Sequence, residues 1–168
     1  MYLKNSIRFV LLILFQVLVL NSLSFGGYAY PAFYIYFILL LPFETAGWVL
    51  LLSSFFLGLS VDFFTNSLGI NAAASVFMAF SRQSVLNLLR SKREYELVDS
   101  PGIKDLGFKW FLTYAFMLIL LHHTILFSLE VFSFEGFVQT ILRIVLSSVA
   151  TLILAVVAEV LFYKADKT

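Results

Sequence analysis

The sequence predicts an all-α integral membrane protein, and three observations carry that reading. Hydrophobic residues fill 61% of the 168 positions and charged residues only 12%, with a mean hydropathy of +0.98; soluble domains run at about 45–50% apolar and about 25% charged. Three segments, about 7–23, 108–127 and 137–162, are apolar over the roughly 17–25 residues that a spanning helix needs. Ten of the eleven Lys and Arg residues fall on one side once the apolar segments are threaded alternately, the asymmetry that fixes topology in membranes.

The elements follow in order. Lys4 and Arg8 precede the first apolar run, an order also found in signal peptides. Asn21, Ser22 and Ser24 then lead into Gly26 and Gly27 with no Ala-x-Ala-like site, so the run is expected to remain as the first helix. A second span covers about 28–41 and stops at Pro42, with Gly47 close behind. A third covers about 48–61 and closes on Asp62; the polar turn Thr65, Asn66, Ser67 follows. The fourth, about 69–80, is crowded with Gly69, Ala72, Ala73, Ala74, Ser75 and Ala79, and it leads to Arg82. The second and fourth are short for spans, and a re-entrant segment is allowed only where protein or water covers its backbone. If one of them failed to cross, the basic stretch 81–107 and the C-terminus could not both lie on the basic side. Six transmembrane helices with cytoplasmic N- and C-termini are therefore expected, in one domain over 1–168.

The stretch 81–107 reads as a cytoplasmic amphipathic loop. Val85, Leu86, Leu88 and Leu89 alternate with Gln83, Asn87, Arg90 and Arg93, a pattern suited to lying on an anionic membrane surface. Glu94, Glu96 and Asp99 reverse the sign, and Pro101–Gly102 breaks the chain before the fifth helix.

The polar residues inside this apolar chain are the candidates for function. Asp62 lies 14 residues beyond Trp48, about 21 Å along a helix, near the outer interface. Arg143 enters the last helix at comparable depth. A charge at the bilayer centre costs at least ~2.5–3.5 kcal/mol, so either the two pair or each reaches the headgroups by itself. Glu44, in the inner turn Pro42–Gly47, is a solvated turn residue or a docking point for a cytoplasmic partner. Glu159 is expected to reach the inner interface. His122 and His123 are adjacent, point about 100° apart on a helix, and are expected to be interfacial histidines. Gly69 with Ala73, and Ser75 with Ala79, stand four apart, a spacing that lets helices approach closely in lipid, either inside this protein or against a partner. Trp48 and Trp110 fall at predicted inner interfaces.

Several classes are disfavoured. A net charge of +1 gives no basic face for nucleic acid. With no cysteine, disulfides and thiolate chemistry are excluded. The chain carries no Gly-rich phosphate loop, no HExxH and no GxSxG. Asp62 is placed outside, and Glu44 and Glu159 inside. No catalytic residue, metal site or cofactor is expected.

The run Leu40–Leu41–Pro42–Phe43–Glu44, then Gly58–Leu59, Asp62, Asn66–Ser67–Leu68–Gly69, the Ala72–Ala74 cluster and Arg82 resembles the bacterial rod-shape-determining protein MreD family. Length, span count and the basic third inner loop are similar as well. Many relatives carry glycine where this chain has Asn66, and proline where it has Gln83. Asn tolerates a left-handed backbone, and Gln83 leaves helix four free to run into the amphipathic stretch. The resemblance implies a non-enzymatic scaffold of cell-wall elongation in the bacterial inner membrane, associated with an MreC-like protein, an MreB-type filament, and the glycosyltransferase and transpeptidase of peptidoglycan synthesis. It further implies a fold similar to the six-helix substrate-binding subunits (S-components) of energy-coupling-factor vitamin transporters. The alternative function is thus a small-molecule-binding transporter subunit with an outward pocket near Asp62 and Arg143. The residues expected to serve partner binding or structure are Glu44, Gly58, Asp62, Gly69, Ala73, Arg82 and Arg143.

Overall fold

The computed structural model describes residues 2–22, 29–89, 100–131 and 136–165, with side chains from 5 to 162 within them. Helix α1 (Tyr2–Phe15) continues into a π-helical turn, Gln16–Leu20. A 3₁₀ turn, Phe33–Ile35, runs into the short α2 (Tyr36–Leu39). Then come α3 (Gly47–Thr65), α4 (Ile70–Leu89), the four-residue α5 (Ile103–Leu106), α6 (Phe108–Val131) and α7 (Phe137–Ala165). The described residues contain no strand.

Membrane character follows from where the large apolar side chains point. On α7, Val138, Leu142, Val145, Val149, Ile153, Val157 and Leu161 form an exposed stripe at three- to four-residue spacing, one face of a helix. The stripe covers about 35 Å at 1.5 Å per residue, more than the ~30 Å hydrocarbon slab. By length and composition α3, α6 and residues 137–162 of α7 can each cross a bilayer. The chain is an all-helical membrane protein.

α3 packs on α4, α4 on α6 and α6 on α7, while α1 lies against α3 and the 33–39 segment. The two ends of the bundle are marked by the Asn66 turn and by the Pro42–Gly47 turn that carries Glu44.

Two predicted elements are corrected. The expected helix over 28–41 is only seven residues of helix, Phe33–Leu39, preceded by non-helical backbone. Pro31 and Pro42 frame it, and each disfavours helix in the residue before it. On α4 the distance from Asn71, which meets Tyr34, to Arg82, which meets Leu41, is about 16 Å at 1.5 Å per residue. The segment thus covers about half of a slab. It also holds the longest unbroken run of buried positions among the described residues: every residue from Tyr34 to Leu41 is buried, as is Ala32. The helix bundle supplies the cover that irregular backbone requires at membrane depth.

The second concerns the bounds of 69–80: this span and the start of 81–107 are one continuous helix, the continuation that Gln83 leaves open. Ser75, Met78, Ala79, Arg82, Val85 and Leu86 are all buried, so the inward face of α4 continues through Gln83 at helical spacing. Arg90, Lys92, Arg93, Glu94, Glu96 and Asp99 lie outside the described residues.

Candidate functional site

The α3–α4 turn is built around Asp62. Asn66 ends α3 in the left-handed conformation (φ 53°) and Gly69 opens α4 at φ +83°. This turn brings the first helical residues of α4 back against α3. Asp62, 3% exposed, there accepts hydrogen bonds from the backbone N–H of Asn71 (3.0 Å) and of Ala72 (2.8 Å). These are two of the four N–H groups that a helix start leaves without intrahelical partners. An N-cap residue normally satisfies them from its own position; here a carboxylate from the preceding helix does so, where the helix dipole favours negative charge. The Ser67 hydroxyl and Asn71 Nδ2 also donate to Asp62 Oδ1.

Gly58 makes this approach sterically allowed. A Cβ at Gly58 would stand 2.5 Å from Ala72 Cα and 2.5 Å from Asn71 O. Gly58 and Asp62 share one face of α3, four residues apart.

Asp62 and Arg143 do not pair. Arg143 Nη2 donates to Glu130 at 3.0 and 3.2 Å, and its guanidinium lies 4.5 Å above the Phe127 ring. Arg143 is nearly two turns into α7 and faces the end of α6, whereas the bonds on Asp62 come from the turn and the start of α4.

From Asp62 a chain of buried hydrogen bonds runs inward. Asn71 Nδ2 donates to Asp62, so Asn71 Oδ1 is left to accept from the Tyr34 hydroxyl at 3.0 Å. The Tyr34 hydroxyl oxygen then accepts from His122 Nε2, also at 3.0 Å, which assigns the Nε2–H tautomer to His122. His122 and His123 are fully buried, which corrects their expected interfacial place. The reason is that α6 turns this face to the central segment.

Further buried polar side chains serve the same segment. Gln16 Nε2 donates to Pro31 O and Gln16 Oε1 accepts from Tyr34 N–H; the π turn begins at this glutamine. Ser147 Oγ accepts from Tyr30 N–H at 2.9 Å and Thr151 Oγ1 from Ala32 N–H at 3.0 Å. His123 Nε2 lies 3.3 Å from Tyr30 O. At the other end the Tyr114 hydroxyl donates to Leu39 O at 3.1 Å, and Arg82 Nη2 donates to Leu41 O. Non-helical backbone leaves amides and carbonyls open, and a buried group without a partner costs about 1–3 kcal/mol. Side chains from the π turn, α4, α6 and α7 supply these partners.

Arg82 was expected at a cytoplasmic surface. It is 2% exposed, and its Nε donates to the Tyr114 hydroxyl at 2.8 Å. Glu159 likewise turns inward rather than to the interface: it is 8% exposed and accepts from the Tyr36 hydroxyl (2.9 Å) and Ile103 N–H (3.1 Å). Glu44 is exposed in its turn, as expected.

The small residues of α4 divide between two faces. Ala72, Ala74, Ser75 and Ala79 are buried. Ala73 is exposed and, with Gly69, lines a wide apolar groove of about 710 Å³ bordered by Leu51, Phe55, Phe77 and Phe80. At the Asn66 end a polar cavity of about 160 Å³ is lined by Tyr30, Ser67, Asn71, Glu130 and Arg143 among others.

Gln16, Asn71, Tyr114, Ser147 and Thr151 were not singled out by sequence. Ser147 and Thr151 did carry a signal, two hydroxyls four apart in the apolar middle of the last helix, as did Gln16 as an amide in the middle of an apolar run. No group of three or more His, Asp or Glu side chains suited to a metal ion occurs among the described residues. No family model, no curated protein and no solved structure matches the chain.

Proposed function

We propose that this protein is a non-enzymatic membrane scaffold of the bacterial cell-wall elongation machinery, resembling MreD, and that its α3–α4 face holds a transmembrane helix of an MreC-like partner. The observation that carries the reading is the groove over Gly69 and Ala73. Small residues at its floor and phenylalanines at its borders let a partner backbone approach closely, which is what drives helix association in lipid.

Two further observations support it. The residues that carry the resemblance, Gly58, Asp62, Asn66, Gly69, Ala72 and Arg82, set the geometry of this face and of the segment behind it. Gln16, Tyr114, Ser147 and Thr151, four of the polar side chains of the interior, hold the 30–41 backbone. On this reading the chain crosses the inner membrane six times, the 30–41 segment being an internal, shortened pass, with both termini and Glu44 on the cytoplasmic side with most of the basic residues.

The transporter-subunit reading is weaker. Ligand pockets measure about 300–1,000 Å³, and the polar cavity at the Asn66 end holds about 160 Å³ among the described residues.

The test is a detergent pulldown of tagged wild type beside Ala73→Phe, which fills the groove from an exposed position, with bound proteins identified by mass spectrometry. Recovery of an MreC-like protein and wall-synthesis enzymes by wild type and not by Ala73→Phe is expected. Equal recovery by both would move the interface off this face. Recovery of no such protein by wild type would remove the scaffold reading.

A further inference from the structure

A second cavity lies at the Glu44 end, in the cleft between α1 and α7. Its volume is about 410 Å³, within the range of ligand pockets. Tyr36 and Leu40 of the central segment line it from within, Ile7 and Leu11 from α1, and Phe162 from α7. Ile7, Leu11 and Phe162 are exposed and face the surroundings of the bundle, so the cleft opens sideways to lipid.

Two charges of opposite sign line this cleft without neutralising each other. Among the described residues Arg8 meets no hydrogen-bond or ion-pair partner. The Glu159 carboxylate accepts from the Tyr36 hydroxyl and Ile103 N–H, and no described cation pairs with it. A carboxylate has about four lone-pair sites, so two remain for a further donor. Lys104 and Asp105, of opposite sign, also line the cavity and leave its formal charge balanced.

This pattern selects a ligand. An anionic lipid would satisfy Arg8 but meet the carboxylate with like charge. A choline headgroup is cationic and has no N–H to donate. A headgroup with a phosphate and a primary ammonium satisfies both residues. We propose that the cleft between α1 and α7 binds an aminophospholipid, with its phosphate on Arg8, its ammonium on Glu159 and its acyl chains along Ile7, Leu11 and Phe162. The site is independent of the α3–α4 groove, since it lies on other helices.

The test is native mass spectrometry of the purified full chain titrated with phosphatidylethanolamine, phosphatidylcholine and phosphatidylglycerol of identical acyl chains. Wild type is expected to hold phosphatidylethanolamine about tenfold more tightly than either other lipid, as befits one charge-assisted hydrogen bond. Glu159→Gln keeps the shape of the side chain and should erase the preference for ethanolamine over choline while raising phosphatidylglycerol binding. Arg8→Gln removes no bond to a described residue and should weaken all three, with Arg8→Lys restoring them. Equal binding of ethanolamine and choline lipids by wild type, or the same preference in Glu159→Gln, would overturn the proposal. So would a wild-type preference for phosphatidylglycerol, which would make this a plain anion site. Displacement of bound lipid by soluble phosphoethanolamine at similar concentration would overturn the lipid as the source of the headgroup.

Discussion

Gly58 and Asp62 stand one turn apart on α3 and meet the same two residues of α4. Gly58 has no Cβ where Ala72 Cα and Asn71 O lie, and Asp62 accepts the N–H groups of Asn71 and Ala72. The glycine sets the distance and the carboxylate uses it. Close helix approach in lipid is usually a matter of small residues; here it also closes the open end of a helix.

Gly58→Ala should therefore destabilise the protein although it adds one methyl group. Backbone cannot move aside as a flexible side chain can, so α3 and α4 must separate; such overpacking costs typically ~1–3 kcal/mol. Gly47→Ala, with nothing within 4 Å of its added Cβ, should be close to neutral. Thermal unfolding in detergent compares the two, and equal melting temperatures would contradict the close approach at Gly58.

Asp62→Ala should lower stability by about 1–3 kcal/mol, the cost of buried donors left without an acceptor. Asp62→Asn should recover part of this, since its single carbonyl oxygen can replace only one carboxylate oxygen. The two oxygens of Asp62 serve different N–H groups, so full stability in Asp62→Asn would show that one of those bonds is dispensable.

Arg143→Gln should differ sharply from Asp62→Ala. Its ion pair with Glu130 is open to solvent in part, Arg143 at 28% and Glu130 at 43%, and such surface pairs contribute about 0–1 kcal/mol. A melting temperature within a degree or two of wild type is expected in the same assay. A loss as large as that of Asp62→Ala would mean that Arg143 carries more than this pair.

The membrane class, α3, α6 and α7 were legible in sequence because lipid demands long apolar runs, and α3, for one, begins and ends in polar turns. The turn at Asn66 was legible too, since few residues other than glycine tolerate its backbone. The 30–41 segment was not. Its composition is that of a spanning helix, and only Pro31 marked the point where helix could not begin earlier. Its partners lie on four other helices, and pairing over such separations leaves no local pattern. Arg82, His122 and His123 were misplaced for the same reason: a polar residue in an apolar helix looks interfacial until the irregular backbone that needs it is in view.

Thr151→Val tests whether the hydroxyls of α7 hold that backbone. The substitution keeps the shape of the side chain and removes the acceptor for Ala32 N–H, leaving a buried donor at a cost of about 1–3 kcal/mol. Hydrogen exchange should accelerate over residues 30–36, while α3 keeps its protection. Unchanged exchange in that stretch would show that the segment is held by packing alone.

Arg82 anchors the opposite end of the segment, and its two bonds make a sharper test. Nε bonds to the Tyr114 hydroxyl, and Nη2 bonds to Leu41 O just before Pro42. Lysine has one nitrogen in place of this fork, so Arg82→Lys should lose one of the two bonds and Arg82→Gln both. Tyr114 also donates to Leu39 O, so arginine and tyrosine hold neighbouring carbonyls as a unit. Arg82→Gln and Tyr114→Phe should then be non-additive, with a coupling of about 0.5–3 kcal/mol in a double-mutant cycle. Additive losses would mean that the two side chains act separately on the segment. A gain in stability on Arg82→Gln would mean that burying the guanidinium costs more than its bonds return.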